Sequence, residues 1–289
     1  MTAPPSLAVG PYRIRPLADG TFRLDAGAMF GVVPKALWSR VASAGPDNKM
    51  TLALRPFLVR GGGRTVLIDP GIGPCWDERR ARIWGIERPR TILDTLEACG
   101  VGPAEVDAVV LTHLHWDHMG GALVEGAGGA PAPAFPDAPH FCAAREVPAA
   151  RGRHARSASY RAELLEPLER AGLLRPVEGR REVAPGVTMH VLGGHSEGSS
   201  VVTIEGEGRK AIFWDDILPT SGHLRPAWIM ALDLYPADSF RIREEWIARA
   251  ADEAWIGLLY HDVRDPWGRI LREGEGFAWR PLEPAELEG

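Results

Sequence analysis

The feature that most constrains the fold of this chain is a run of three histidines and one aspartate, HLHWDH, at residues 113–118. Three of the nine histidines of the chain lie in this run, and it directly follows the apolar stretch AVVLT. Such a stretch is typical of a buried strand. Packing four polar side chains at its end is costly unless a bound group pairs them. The fold must therefore bring a strand end and a turn to one polar centre, since isolated surface histidines explain this spacing poorly.

The spacing within the run predicts a metal centre. On an extended segment alternate side chains point the same way, so His113 and His115 share one side. Asp117 and His118 follow once the chain turns, and they can address a neighbouring point. Imidazole and carboxylate groups are ligands for transition metals at distances of about 2.0–2.3 Å.

Composition excludes several classes of function. The 289 residues include 33 Lys plus Arg and 38 Asp plus Glu, a formal charge of −5, which provides no basic footprint for nucleic acid or an anionic membrane. No apolar stretch approaches the roughly 18 residues of a membrane span, and we see no signal peptide. Cys75, Cys99 and Cys142 are few and widely spaced. They fit a reducing compartment, so we predict a cytoplasmic protein.

The order of predicted elements is mixed α/β, and no linker divides residues 1–289, which we interpret as one domain. We expect strands at 51–60, 65–71, 106–113, 187–195, 200–208, 210–216 and 255–262, helices at 88–100, 159–174 and 238–254, and an irregular surface loop at 126–139.

The stretch THLHWDHMGG resembles the HxHxDH signature of the metallo-β-lactamase superfamily, whose members are mostly hydrolases with two metal ions. The resemblance extends over about residues 50–265 and implies a four-layer αβ/βα sandwich. It implies further ligands at three later strand ends, His195, Asp216 and His261. His113, His115 and His195 would hold the first metal, and Asp117, His118 and His261 the second, with Asp216 bridging. A shift of the bridging role to the adjacent Asp215 stays open.

The same resemblance suggests an outer hydrogen-bond partner and a mechanism. Asp69 would accept a hydrogen bond from a ligand imidazole, although a turn-capping role is the alternative. Ligands of the His and Asp types suit zinc and also admit iron, manganese or cobalt. Two such ions lower the pKa of a shared water to about 7, and the resulting bridging hydroxide would attack the substrate. Asp117 and Asp216 are therefore the catalytic candidates.

An apolar substrate pocket is expected around the metal ligands. Residues 1–50 would lie near this pocket or form the contact of a homodimer. Each pocket candidate also has a structural interpretation: Met29 and Phe30 could belong to a hairpin core, and His223 could pack on Trp228. The candidates for the pocket are Met29, Phe30, Trp116, His223 and Tyr235.

Lactone ring opening, as in the quorum-quenching lactonases that the motif resembles, is the preferred activity, with phosphotriester hydrolysis as a companion. A thioesterase of the glyoxalase II type and a β-lactamase are alternatives within the superfamily. A di-iron redox enzyme and a non-catalytic scaffold are alternatives of other classes. The partner expected is a small hydrophobic molecule; the sequence leaves the physiological substrate, the native metal and the oligomeric state open.

Overall fold

Two seven-stranded sheets carry most of the secondary structure of the chain. The computed structural model describes residues 3–152 and 159–288. His154, for which the basic stretch RGRHARS predicts a solvated side chain, lies outside the described residues. The first sheet is mixed: the four strands named last below are parallel to one another, and the other pairs of neighbours are antiparallel. Its strands, in spatial order, are β1 (Leu7–Val9), β2 (Tyr12–Pro16), β5 (Phe57–Gly61), β6 (Arg64–Ile68), β7 (Ala108–Val110), β10 (His140–Ala143) and β11 (Leu174–Val177).

The second sheet is antiparallel except between the strands Arg209–Phe213 and Ile256–Leu258. These two strands are parallel and therefore end at the same edge of the sheet. Two small sheets, β3 (Thr21–Asp25) with β4 (Lys49–Ala53) and β8 (Leu123–Glu125) with β9 (Pro131–Pro133), flank the main ones. The second sheet contains, in spatial order, β12 (Arg180–Ala184), β13 (Val187–Val191), β14 (Ser200–Gly206), β15 (Arg209–Phe213), β16 (Ile256–Leu258), β17 (Trp267–Glu273) and β18 (Gly276–Pro281).

Side-chain alternation along β15 shows how the layers pack. Phe213 points into the main core, where its ring lies 5.6 Å from that of Phe57 on the first sheet. Its neighbour Ile212 points the other way and packs with Trp246 and Ile247 in a second apolar cluster. Because successive residues of a strand face opposite sides, one face of the second sheet meets the first sheet and the other meets a helix. The predicted αβ/βα sandwich is therefore confirmed.

The helices are mostly short. The longest, Pro236–Asp252, supplies the apolar stripe that covers the second sheet. The helix Ile92–Ala98 begins with a capping box between Thr91 and Asp94. Within the described ranges no helix combines the length and the apolar character needed to cross a bilayer. The helices are α1 (Ala26–Phe30), α2 (Lys35–Trp38), α3 (Glu78–Trp84), α4 (Ile92–Ala98), α5 (Trp116–Met119), α6 (Glu146–Arg151), α7 (Glu166–Arg170) and α8 (Pro236–Asp252).

Proline and burial explain where the predicted elements were wrong. The strand expected at 51–60 is two strands, which belong to different sheets and are separated around Pro56, a residue without a backbone N–H. The helix expected at 159–174 is reduced to a 3₁₀ turn and α7, with Pro167 in the first turn of α7. The loop expected at 126–139 contains β9 and buries Phe135.

The turn behind the HLHWDH run requires glycine at two positions. A Cβ atom on Gly120 would lie 2.1 Å from the carbonyl oxygen of Ile72, and one on Gly121 would lie 2.1 Å from that of Pro70. The loop at 70–73 therefore packs directly on the backbone of the turn. This contact holds Asp69, just before the loop, beside the run.

We predict that Gly121→Ala destabilises the fold by about 1–3 kcal/mol, the usual cost of overpacking a tight contact. The control is Gly276→Ala, because a Cβ there would have its nearest neighbour at 3.8 Å. Urea unfolding followed by circular dichroism measures both. Equal unfolding midpoints for the two variants would contradict the required close approach.

Candidate metal centre

Strand ends and the turns that follow them supply the residues of the centre. His113 and His115 come after β7, and Asp117 and His118 lie on α5. The remaining three residues, His195, Asp216 and His261, follow β13, β15 and β16. All seven side chains are buried, with exposed fractions of 8% or less. The two sheets thus bring to one place residues that are up to about 150 positions apart in the chain.

The first group of converging atoms consists of His113, His115, His195 and Asp216. One ligand atom from each lies within 4.8 Å of those of the others. His195 Nε2 is 3.2 Å from His115 Nδ1 and 3.1 Å from Asp216 Oδ2. Four ligands of these types are enough for a tetrahedral metal site.

The second group consists of Asp117, His118 and His261, whose ligand atoms also lie within 4.8 Å of one another. Asp117 Oδ2 is 3.6 Å from the Nε2 atoms of both histidines. Asp216 reaches this group as well, because its Oδ1 is 3.1 Å from His261 Nε2. Asp216 Oδ2, which is 3.1 Å from His195 Nε2, also lies 3.7 Å from His118 Nε2. The carboxylate therefore lies between the two groups, as expected of a bridging ligand.

Asp215 occupies a different place. Its Oδ1 lies 3.1 Å from His113 Nδ1 and 3.4 Å from His118 Nδ1, behind the two rings. Asp215, His113 and His118 form a third set of close atoms. However, His118 Nδ1 lies only 2.9 Å from Asp69, so this nitrogen already has a partner. Both oxygens of Asp215 are buried without a hydrogen bond. We interpret Asp215 as a carboxyl group that packs behind the imidazoles, and Asp216 as the residue between the groups.

In three of the ligand rings, the nitrogen that faces away from the centre has its own partner. Asp69 Oδ2 accepts from His118 at 2.9 Å, the contact predicted from the sequence. Asp233 Oδ1 lies 2.9 Å from His195 Nδ1, and the carbonyl oxygen of Ala53 lies 2.8 Å from His261 Nδ1. Such contacts fix ring orientation and raise ligand basicity. Sequence reasoning missed Asp233, for which the only signal was an aspartate within the apolar stretch 227–236.

Unpartnered buried atoms test whether the residues fit a metal. Both oxygens of Asp215 and several buried atoms elsewhere in the described residues also have no hydrogen bond, but three of the unpartnered atoms are His113 Nε2, His118 Nε2 and Asp216 Oδ1. All three belong to the converging groups, and buried polar atoms left without a partner are costly. Two divalent ions would satisfy them, so the residues fit a dinuclear centre.

The pKa values of the ligand residues are shifted by burial and by the neighbouring charges. Burial, together with neighbouring imidazoles, holds the pKa of His113 and of His115 well below the usual value, so both rings are neutral. Burial opposes ionisation of Asp216, but the imidazoles of His261, His195 and His118 outweigh it and keep the pKa of the carboxyl well below its usual range. Burial lowers the pKa of His118 and of His195 as well, but the carboxylates beside these rings outweigh it and raise both pKa values above the usual one. Metals bind neutral imidazole and ionised carboxylate, so a bound cation would replace the protons that these two rings carry.

A pocket opens directly over the two groups. His115, Asp117, His195, Asp216 and His261 form its polar floor. Its walls are mainly apolar and include Met29 and Trp116, as predicted, with Ser159 as a further polar member. The other apolar residues of the wall are Phe22, Leu24, Leu52, Trp84, Met230 and Leu232.

Three predicted pocket residues lie elsewhere. Phe30 is fully buried and stacks on the His223 ring at 4.3 Å, so both lie behind the wall that Met29 forms. His223 is held there by Thr220 and by the carbonyl oxygen of Met29. Tyr235 is 38% exposed and its hydroxyl donates to Glu197, outside the pocket lining. The predictions treated these residues as isolated apolar or polar markers, whereas packing and pairing decide their positions.

Comparisons with known proteins bear on the whole chain. Residues 56–261 match the family model described as the metallo-beta-lactamase superfamily. A probable metal-dependent hydrolase from Staphylococcus aureus is 32% identical, with 96% of this chain and 99% of that chain covered and a TM-score of 0.88.

More distant structures share the fold. AidC, a dizinc quorum-quenching lactonase, is 19% identical, with 96% of this chain and 97% of that chain covered and a TM-score of 0.80. The hydrolase AbOPH is 21% identical, with coverage of 98% and 99% and a TM-score of 0.81.

We expect Asp216→Asn to remove most of the bound metal, because the substitution takes a charged ligand from both groups at once. Asp215→Asn is the matched comparison: an adjacent buried carboxylate is neutralised, and we expect metal affinity to fall by only about 10–100-fold, as for other outer partners of metal ligands. Elemental analysis after dialysis against a weak chelator measures the two effects. If Asp215→Asn lost more metal than Asp216→Asn, the roles assigned to the two aspartates would be reversed.

Proposed function

Because the chain belongs to the metallo-β-lactamase superfamily, we propose that it is a dinuclear hydrolase that opens lactones, above all those with an apolar acyl chain such as acyl-homoserine lactones. The resemblance noted from residues 113–118 is confirmed at the level of the family, and the chain is a metal-dependent hydrolase. The lactone substrate and the use of two ions together are the proposal.

The observation that carries the proposal is the apolar wall over the metal ligands. Eight apolar side chains surround the polar floor. None of the lining residues that the structure describes is Lys or Arg. Substrates with several carboxylates, such as glutathione thioesters, would need such cations. The pocket instead favours a neutral ester with a hydrocarbon substituent.

The residues of the chain would divide the work. His113, His115 and His195 would hold one ion, and Asp117, His118 and His261 the other, with Asp216 shared. Bound divalent ions supply a water acidified to a pKa of about 7 and a positive charge for the substrate carbonyl oxygen. The backbone carbonyl of Asp117 accepts from the Tyr260 hydroxyl at 2.6 Å. This contact anchors Asp117, whose carboxylate would orient the attacking water and accept its proton.

The apolar wall also excludes bulk water from the reacting centre. Trp116 is 3% exposed and packs edge-on against Phe22 at 5.3 Å and Trp76 at 4.8 Å. A dry wall strengthens the electrostatic contacts at the floor of the pocket. We propose that the acyl chain of the substrate contacts this wall while the lactone carbonyl lies over Asp216.

Several finer points belong to the same proposal. Zinc is the preferred metal, which the dizinc lactonase of similar fold supports, with iron, manganese and cobalt as the other options. Unpaired cysteines suit a cytoplasmic location. Exposed Val32 and Leu37 in the N-terminal segment support a homodimer contact there. Phosphotriester hydrolysis is the second candidate activity, because the same apolar pocket fits an aryl leaving group.

We predict that purified enzyme hydrolyses acyl-homoserine lactones with a higher kcat/KM than aryl esters, paraoxon-like triesters, S-lactoylglutathione or nitrocefin. Each added acyl methylene that enters the pocket contributes about 0.8 kcal/mol of binding free energy through burial of its apolar surface. The value of kcat/KM should therefore rise by up to about fourfold per methylene until the pocket is full.

The control is His118→Ala, which removes a ligand of the second group and should abolish all of these activities together. Rates are measured side by side in the same metal-supplemented preparation. Lactones ranking last would overturn the preferred substrate, and the substrate ranking first would identify the alternative. Redox turnover with an iron spectrum would favour the di-iron class instead.

A further inference from the structure

Glu146, the first residue of α6, is a fully buried carboxylate outside the metal-ligand groups. No Lys or Arg of the described residues forms an ion pair with it within 4.0 Å. A buried carboxylate without a cation is costly unless hydrogen bonds satisfy both oxygens. Its retention in the core therefore depends on the donors around it.

Three of the four donors come from two separate loops, and the fourth is the Tyr160 hydroxyl. Oε1 of Glu146 accepts from Ser196 Oγ at 2.7 Å and from the Gly198 backbone N–H at 2.7 Å. Oε2 accepts from the Leu114 backbone N–H at 3.0 Å and from the Tyr160 hydroxyl at 3.2 Å. One carboxylate thus ties together segments more than 80 positions apart in the chain.

Both loops carry ligands of the first group. Leu114 lies between His113 and His115, and Ser196 directly follows His195. Hydrogen bonds from Glu146 to these segments fix the distance between the two loops. The separation of His195 Nε2 from His115 Nδ1, 3.2 Å, depends on that distance.

Neighbouring contacts make this connection tight. The Tyr160 ring packs edge-on against the His115 ring at 4.6 Å, while its hydroxyl donates to Glu146. Ser196 Oγ also lies 2.8 Å from Ser199 Oγ within its own loop. A Cβ atom at Gly198 would lie 2.9 Å from Glu146 Cγ, so the loop approaches Glu146 as closely as glycine allows.

We propose that Glu146 is a positioning residue for the first metal-ligand group: it holds the loop of His113 and His115 against the loop of His195. The second group has its own anchors, Asp69 for His118 and the Ala53 carbonyl for His261. Loss of Glu146 should therefore weaken the binding of one of the two ions. The inference rests on the dinuclear centre of the proposed function and is independent of the substrate.

Glu146→Gln tests the inference at almost constant volume. A glutamine keeps one acceptor oxygen but presents an NH₂ group to the other loop, where a backbone N–H of either Leu114 or Gly198 loses its acceptor. We expect the affinity for one ion to fall by about 10–100-fold, as for other residues that orient metal ligands, while the second ion keeps its affinity.

The readouts are zinc competition against a chromophoric chelator and the visible spectrum of the cobalt(II) form. The wild-type protein should bind two ions, and in the variant one of the two binding steps and its cobalt bands should change. Asp107→Asn is the matched control. Asp107 also accepts from a backbone N–H, that of Thr65 at 2.7 Å, but it precedes β7 and lies away from the ligands.

Ser196→Ala covers the case in which Glu146→Gln fails to fold. It removes one of the four donors, and we expect a loss of about threefold to tenfold for the same ion. Wild-type affinity for both ions in Glu146→Gln, or in Ser196→Ala if the former does not fold, would overturn the inference. Equal weakening of both ions, or the same loss in Asp107→Asn, would also overturn it.

These outcomes separate the inference from the proposed substrate. If lactones are not hydrolysed but Glu146→Gln selectively loses one ion, the substrate proposal fails and the positioning role stands. If the variant binds both ions normally while lactones are hydrolysed, the positioning role fails alone. A wild-type protein that binds fewer than two ions would overturn the dinuclear centre and this inference together.

Discussion

The structure depends on burying many carboxylates and imidazoles in one small volume. Asp69 and Asp215 are fully buried, and Asp117 and Asp216 are 8% exposed, all beside five buried histidines. Carboxylates placed so close together repel each other and lose hydration, so the arrangement is stable only when positive charge and hydrogen bonds compensate. The imidazoles compensate only in part: His118 and His195 have raised pKa values, whereas burial and mutual proximity keep His113 and His115 neutral. The same constraint that makes the site costly to fold makes it a strong acceptor for divalent ions.

Rigidity of the centre comes from contacts outside it. Partners for the ligand rings are contributed by Asp69 after β6, by Ala53 at the end of β4 and by Asp233 before α8. Because these partners belong to different elements, a shift of any one of those elements would change the ligand geometry. Glu146 adds a connection of the same kind between two loops. The precision of the centre is therefore a property of the whole sandwich and not of the HLHWDH run alone.

The ligands could be predicted from the sequence because each follows an apolar run, so polar residues at strand ends stand out. Apart from Asp69, their partners could not. The carbonyl of Ala53 carries no side-chain signal, and Asp233 and Glu146 meet partners that are up to 52 residues away in the chain. The sequence favours the pocket for Phe30, which lies in an apolar segment before the strands of the metal ligands, and for His223, which follows Asp216 by seven residues. Only packing reveals that they stack on each other behind Met29. Similarly, Asp215 and Asp216 are adjacent residues of the same type, and the backbone conformation distinguishes them. Asp215 has a positive φ of 53°, and its side chain lies behind the rings of His113 and His118, whereas that of Asp216 lies between the two ligand groups.

Trp116 joins the metal centre to the substrate pocket within one turn of the chain. It lies between the ligands His115 and Asp117, yet its ring contacts Phe22 and Trp84 of the apolar wall and, in addition, Trp76. Because α5 is only four residues long, any shift of this ring would also move Asp117 and His118. Aromatic packing on Trp116 therefore stabilises the ligand turn, and the ligand turn fixes where the apolar wall begins. An apolar substrate that contacts Trp116 would touch a part of the pocket that moves together with the metal ligands. Recognition of the hydrocarbon chain would therefore be coupled to the geometry of the reacting centre.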